Sequence, residues 1–541
     1  QLKKIFLVSF TLLSQITFCQ VGEWTWMHGD NIPNPTPSYG TQGVTAPSNK
    51  SPGRYEAAEW TDLQGNFWMF GGNGVTGRYN DLWKFNPSTN QWTWMKGSNL
   101  IDQAGICGTQ SVSAPTNNPG ARGFGSGTWV DTSGDLWLFG GSGYDCSGNN
   151  GKLNDLWKYN ISTNEWTWMK GSSSRNSAGY YGVLLVTNIL NNPKSRHETS
   201  VTWTDKNGNL WLFGGNDNIG FANNDLWKYN VSTNQWTWMH GDSIPDQSGI
   251  YGTMGVPNPT NTPGARWSFA KWQVQSNKFY LFGGQGKDAS GVSGNLNDLW
   301  FYNPSTNEWT WINGTSTANP LGSIDSICVS SSSNLPSGRM ENRANWKDTC
   351  NNFIMFGGFN SNGFYNDLWS YNILLDKWTW ISGDSLPNQS GVYGTIMVSS
   401  PLNKPCSRWG SIGWKDQLGN FWMFGGNLNG TLYYNDMWKF HSYTPCMTCQ
   451  TVGLNDIISN DQIKIYPNPF STQTTLQTDN FFHNAILTVY NSFGQTVKQI
   501  KNISGRAVIL SRDNLPSGLY FVRLTEENKT IAVDKLVITD K

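Results

Sequence analysis

Six arginines stand at one place in a repeated segment: Arg54, Arg122, Arg196, Arg266, Arg339 and Arg408. Six aspartates recur at another: Asp81, Asp155, Asp225, Asp298, Asp367 and Asp436. A ring of guanidinium groups suits an anion or a polar ligand. Equal numbers at fixed positions favour a different use, in which each forked guanidinium meets a carboxylate and the pair is structural. The residue after each arginine varies: Tyr55, Gly123, His197, Trp267, Met340 and Trp409. Variation beside a uniform position is what a ligand site would leave behind. Tyr55, His197, Trp267 and Trp409 are therefore the candidate ligand contacts, with aromatic faces that suit stacking on sugar rings. The alternative is that these side chains only fill a channel mouth.

Glu56, Glu198 and Glu341 lie two residues after the arginine in the first, third and fifth segments. They are the most enzyme-like set in the chain. Metal chemistry finds less support. The five histidines (His28, His197, His240, His441, His483) offer no pair at ligand spacing. Cys446 and Cys449 would need two further ligands to hold zinc. No catalytic residue, metal ligand or cofactor is expected. The cysteines read as structural. Cys107 and Cys146 belong to one segment and are expected to pair. Cys328 is read as the equivalent of Cys107 and is expected to pair with Cys406 on the next insert, and Cys350 with Cys446 or Cys449.

These residues ride on a regular array. Phe-Gly-Gly begins at Phe70, Phe139, Phe213, Phe282, Phe356 and Phe424, and Trp-Thr-Trp at Trp24, Trp92, Trp166, Trp236, Trp309 and Trp378. Each segment runs from the arginine to a tryptophan, through a turn to an apolar strand ending in Phe-Gly-Gly, then a loop, then an Asn-Asp strand. A turn leads to the Trp-Thr-Trp strand. That order predicts a four-stranded antiparallel meander. One such sheet cannot bury its faces alone, whereas six arranged radially can, with few open edges. The two motifs are out of phase, because the first Trp-Thr-Trp precedes any Phe-Gly-Gly. A closed ring explains the offset: Glu23 to Gly29 would supply the outer strand of the unit begun by Arg408.

The Gly-Gly doublet after an apolar strand, the aromatic strand and the tryptophan strand together resemble the kelch repeat, over roughly Gly22 to Ser442. The resemblance implies an all-β fold, a six-bladed kelch-like β-propeller closed by the N-terminal strand. The spacing departs from it: successive Phe-Gly-Gly steps lie 68 to 74 residues apart, against about 50 in kelch units. The excess lies before each arginine, as in residues 241–264. Topology is expected to put these inserts and the loops after Phe-Gly-Gly on one face, which in kelch-like propellers usually binds the ligand. Galactose oxidase shares a kelch-like propeller, but its copper chemistry needs two histidines and tyrosines around one metal.

Lys+Arg and Asp+Glu both number 37. A balanced charge argues against nucleic acid and anionic membrane as main partners. Lys3 and Lys4 precede an apolar run, Ile5 to Leu13, too short to span a bilayer, so residues 1–19 read as a signal peptide. No later segment is expected to cross a membrane. Residues 20–443 are expected to form the propeller and 444–457 a linker. Residues 458–541 carry Lys464-Ile-Tyr-Pro-Asn-Pro-Phe470, Leu487-Thr-Val-Tyr-Asn-Ser-Phe-Gly494 and Leu515-Pro-Ser-Gly-Leu-Tyr-Phe-Val522. They resemble the C-terminal (type A) sorting domain of type IX secretion substrates, which implies a small β-sandwich. It also implies the type IX machinery as a partner, and secretion or display on the outer surface of a Gram-negative bacterium. The expected function is a secreted or surface binding and adhesion module, with a glycan or protein ligand on the insert face. A propeller enzyme acting on polysaccharide (galactose-oxidase-like or lyase-like) and a structural subunit of a surface complex remain as alternatives.

Overall fold

Stretches such as Leu-Trp-Lys-Tyr and Trp-Thr-Trp-Met put every second side chain on one face, and bulky aromatic residues favour the extended backbone. A computed structural model of the chain describes residues 22–198, 202–217, 220–443, 464–491, 496–526 and 529–540. The expected signal peptide and linker, with Cys446 and Cys449, lie outside the described residues. Apart from one short 3-10 turn at Gln275–Asn277, every regular element is a β-strand. The chain divides into two compact units, one ending at Cys449 and the other beginning at Gln450.

The first unit holds six antiparallel sheets of matching strand order. In the first, Ala58–Thr61, Phe67–Phe70, Leu82–Asn86 and Gln91–Lys96 pair in sequence. The next four sheets repeat this plan. The sixth takes Ile412–Lys415, Phe421–Phe424 and Met437–Ser442 from the end of the unit and its fourth strand, Gly22–His28, from the beginning. Trp24 faces Phe440 and Trp26 faces Trp438 in that register.

Phe-Gly-Gly is the joint between sheets. Gly71 and Gly72 have φ of 66° and 100°, a region that glycine enters without strain. A Cβ on Gly71 would lie 2.5 Å from the Arg122 carbonyl oxygen, and the Gly72 N–H donates to that same oxygen at 2.8 Å. At the other end of the unit, Gly426 N–H donates to the Arg54 carbonyl at 2.9 Å. The apolar clusters are cyclic in the same way. One combines Trp60 and Phe70 of the first sheet with Leu138 and Trp157 of the second. Another joins Trp414, Trp422 and Phe424 of the sixth to Phe67, Met69 and Trp92 of the first. Indoles stitch some of these contacts: Trp60 Nε1 donates to Trp137 O at 2.9 Å and Trp129 Nε1 to Trp211 O at 3.1 Å.

The inserts are not free loops. Each lies along the fourth strand of its own sheet, with bridges such as Ala46 to Trp92, Ala114 to Trp166 and Ser400 to Trp24. A buried asparagine fixes each one. Asn49 Nδ2 donates to Trp92 O at 3.0 Å, and Asn403 Nδ2 to Trp24 O at 3.2 Å. This covers part of an edge that would otherwise present unpaired backbone.

The insert register corrects the cysteine assignment. Cys107 occupies the position of Tyr39, Tyr181, Tyr251 and Tyr393, and is joined by a disulfide to Cys146 with Cα atoms 5.9 Å apart. Cys328 lies four residues further along. There it has φ of 62°, like Ser111 and Met397 at the same place, and donates its N–H to Trp380 O at 2.8 Å. It is not joined to Cys406; both are buried, and Arg408 Nη2 donates to Cys406 Sγ at 3.1 Å. Cys350 is disulfide-bonded, and its two expected partners lie outside the described residues.

In the second unit five strands, Lys464–Tyr466, Gln473–Tyr490, Thr496–Ser511, Gly518–Glu526 and Lys529–Ile538, form one connected antiparallel sheet. The first half of the long second strand also pairs with Lys464–Tyr466 and its second half with Gly518–Glu526, while Thr496–Ser511 runs along both. Phe470, Leu476, Leu487, Val489, Val522 and Leu536 are buried in its single apolar cluster.

Trp24 is 2% exposed and meets Phe356, Trp438 and Phe440 edge-on at 5.6, 6.4 and 5.1 Å. Trp24→Ala should destabilise the first unit by about 3–5 kcal/mol, as other buried aromatic truncations do. Denaturant unfolding checks this. An unchanged midpoint would mean that the N-terminal strand contributes nothing to the core.

Candidate functional site

The six arginines are all engaged inside the protein. In five pairs both terminal nitrogens meet both aspartate oxygens at 2.6–2.8 Å. Arg339 meets Asp367 through Nη1 at 2.7 Å and turns Nη2 to Ser337 Oγ at 3.1 Å. Each Nη1 also donates to the first glycine carbonyl of its Phe-Gly-Gly, as in Arg54 to Gly71 O at 2.7 Å. The aspartates accept further bonds from the tryptophan two residues on, such as Trp83 Nε1 at 2.8 Å, and in four sheets from the insert tyrosine, such as Tyr251 OH at 2.6 Å. The pairs are essentially fully buried. Little of any guanidinium is left for a solute.

The residues after the arginines behave differently. Tyr55 and Trp409 stack obliquely with ring centres 4.6 Å apart. Trp409 also meets Phe359 at 5.2 Å, and Tyr55 meets Tyr433 at 5.7 Å and Phe124 at 6.0 Å. Phe124 in turn meets His197 at 5.8 Å. Three of the four expected contacts thus belong to one aromatic arc. Trp267 makes no ring contact among the described residues.

Beside Tyr55 opens a cleft of about 240 Å³, lined by Tyr55, Asn73, Arg78, Asp102, Tyr144 and Asn150 together with Gly74 and Gly77. Arg78 Nη1 donates to Asn150 Oδ1 at 2.6 Å and the guanidinium lies over the Phe124 ring at 5.3 Å. Asp102 Oδ1 accepts from the Arg78 N–H at 2.9 Å. Sequence reasoning missed Arg78, Asp102 and Tyr144. A signal existed for the first: the position three before each aspartate varies (Arg78, Lys152, Ala222, Asn295, Phe364, Tyr433) beside a uniform one. A signal existed for Asp102 too: it lies 24 residues after Arg78, as Asn176, Asp246, Asn319 and Asn388 lie 24 after their counterparts, and each accepts the same backbone N–H.

The six sheets meet at the residues two after each arginine. Glu56, Phe124, Glu198, Ser268, Glu341 and Gly410 all have positive φ, from 51° to 64°. For the non-glycine residues this backbone costs on the order of 1 kcal/mol each and persists only where the surroundings impose it. Here main-chain bonds between neighbouring sheets impose it: Glu56 N–H to Gly410 O at 2.8 Å, Glu198 N–H to Phe124 O at 2.6 Å, and Glu341 N–H to Ser268 O at 2.9 Å. The turn brings the three glutamates together, with one carboxylate oxygen from each within 4.8 Å of the others. Ser268 Oγ donates to Glu198 Oε2 at 2.9 Å, and His197 Nδ1 lies 3.6 Å from Glu198 Oε1. Buried Arg343 reaches Ala57 O at 3.2 Å and Glu59 at 3.4 Å.

Burial, then repulsion by Glu198, pushes the Glu341 carboxyl up to about 8. Burial and repulsion from Glu198 and Glu341 push Glu56 well above the ordinary range. Burial opposes the charge on Glu198 too, but His197, then Arg343 and Ser268, outweigh it and hold that carboxyl low. Burial also brings the Lys271 ammonium down to about 8.

Residues 464–539 match the family described as the secretion system C-terminal sorting domain. The chain therefore carries a type IX sorting tail and is a secreted or cell-surface protein, with the secretion machinery as the partner of that tail. Among the described residues no helix is long and apolar enough to cross a membrane.

Arg266→Ala would leave Asp298 buried without its counter-charge. It should lower stability by about 3–5 kcal/mol. Trp267→Ala should cost about 1 kcal/mol or less, since the ring has no aromatic partner. Comparing the two melting curves separates scaffold from surface, and an Arg266→Ala protein as stable as wild type would contradict the structural pairing.

Proposed function

We propose that residues 20–443 form a six-bladed kelch-like β-propeller, closed by Gly22–His28, that binds carbohydrate at the cell surface or in the surrounding medium. The cyclic order of the sheet contacts supports the closed ring. The observation that carries the binding reading is the cleft at Tyr55. It combines two tyrosine rings with a guanidinium, a carboxylate and two carboxamides on a rigid frame. Sugars present an apolar ring face and a dense rim of hydroxyls, which this mixture of aromatic faces and hydrogen-bonding groups matches. The sorting tail supports the setting, since glycans are abundant outside the cell.

A second reading has its own support. Glu198 held low and Glu341 pushed up are the kind of divided carboxylate pair that acid–base chemistry uses. A polysaccharide-cleaving enzyme would need a substrate to reach them, yet Glu56, Glu198 and Glu341 are 1%, 5% and 4% exposed.

A glycan array followed by calorimetry tests the proposal. A bound oligosaccharide should lose at least about tenfold in affinity with Arg78→Ala, roughly 1.4 kcal/mol, with little change in melting temperature, and by a similar factor with Tyr55→Ala, which also lowers the melting temperature because its ring packs on Trp409, Tyr433 and Phe124. Binding unaffected by either variant would remove the cleft as the site. New reducing ends released from a polysaccharide would favour the enzyme.

A further inference from the structure

Glu56, Glu198 and Glu341 come from three sheets that share no strand pairing, and their carboxylates converge. Two of their oxygens, Glu56 Oε1 and Glu341 Oε2, are buried and reached by no hydrogen-bond donor among the described residues. Both belong to side chains at least nine-tenths buried. An oxygen of that kind must be satisfied by a proton or by a cation. Arg343 attracts all three carboxyls electrostatically but donates no hydrogen bond to them: Nη2 is turned to Ala57 O and Glu59, while Nε and Nη1 make no hydrogen bond.

We propose that Glu56, Glu198 and Glu341 form a divalent-cation site that takes Ca²⁺ in preference to Mg²⁺. The donors are all oxygen, which suits hard cations. Calcium–oxygen distances of about 2.3–2.6 Å place opposite ligands roughly 4.8 Å apart. The three oxygens, all within 4.8 Å of one another, are close enough to share one ion. Magnesium gives up its waters reluctantly and is seldom held by an all-protein cage, whereas calcium accepts several carboxylates in flexible geometry. Ser268 Oγ, already on Glu198, is a further oxygen at hand. The cation would tie the first, third and fifth sheets together at their meeting point. This site is independent of the carbohydrate reading.

The test uses the full chain, stripped with a calcium chelator and then supplied with CaCl₂ or MgCl₂. Elemental analysis should find one calcium per chain. Calcium at about 100 times its Kd should raise the melting temperature by roughly 3 °C, and magnesium at the same concentration by less. Glu56→Gln/Glu341→Gln should lose the calcium-dependent rise and at least about 100-fold in calcium affinity. In chelator its melting temperature should not fall below that of wild type, because a carboxamide of the same shape replaces each carboxyl. Glu341→Gln alone provides the same readings should the double variant fail to fold. Wild-type protein that binds no calcium at about 10 mM, well above the extracellular range, would overturn the proposal. So would calcium binding retained in the folded variants, or variants that melt lower in chelator.

Discussion

The buried pairing of arginine and aspartate is the interaction on which the rest depends. A fork of two N–H groups fixes a carboxylate in distance and angle together. Each arginine opens its sheet and each aspartate lies on the third strand or immediately before it, so the pair locks a sheet across its width. The arginine carbonyl then meets the glycine pair of the preceding sheet. One residue therefore sets both the internal geometry of a sheet and its joint with the neighbour. Burying two charges is costly, and apolar replacement is often neutral for stability. What the pair supplies is position: the next two residues are delivered to the point where the six sheets meet.

That division explains what was legible in the sequence. Uniform positions were readable. The phase offset between Phe-Gly-Gly and Trp-Thr-Trp implied the pairing of Gly22–His28 with Met437–Ser442, because strands of one type need partners of the other. The glycine pair implied a close approach, which turns out to be the Arg carbonyl of the next sheet. Cys107 and Cys146 were readable because both belong to one segment. Cys328 was misplaced by four residues because its insert lacks the tyrosine and glycine that anchor the alignment elsewhere. The inserts were read as loops since their asparagine bonds to the tryptophan strand leave no periodic apolar signal.

Of the site, the arc of Tyr55, His197 and Trp409 could be sought by looking for variation beside a fixed position. Its extension could not. Phe124, Arg78 and Asp102 stand at fixed repeat positions, but that these positions from different segments meet around Tyr55 is a matter of tertiary packing that spacing within one segment does not give. The three glutamates were visible as a pattern, but not that a left-handed backbone at each would turn their carboxylates onto one point. Trp267 carried the same sequence signal as Trp409 but makes no ring contact among the described residues, whereas Trp409 meets Tyr55 and Phe359 of the neighbouring segments.

The central claim is that the six sheets form one cooperative body completed by the first described strand. Native-state hydrogen exchange measures this most directly, residue by residue. Amides paired between Gly22–His28 and Met437–Ser442 should exchange with the same opening free energy as those of the other five sheets, and all should fall together as denaturant is added. Exchange of the Gly22–His28 amides several kcal/mol earlier than the rest would contradict the account, because the N-terminal strand would then be an appendage to an array that is complete without it.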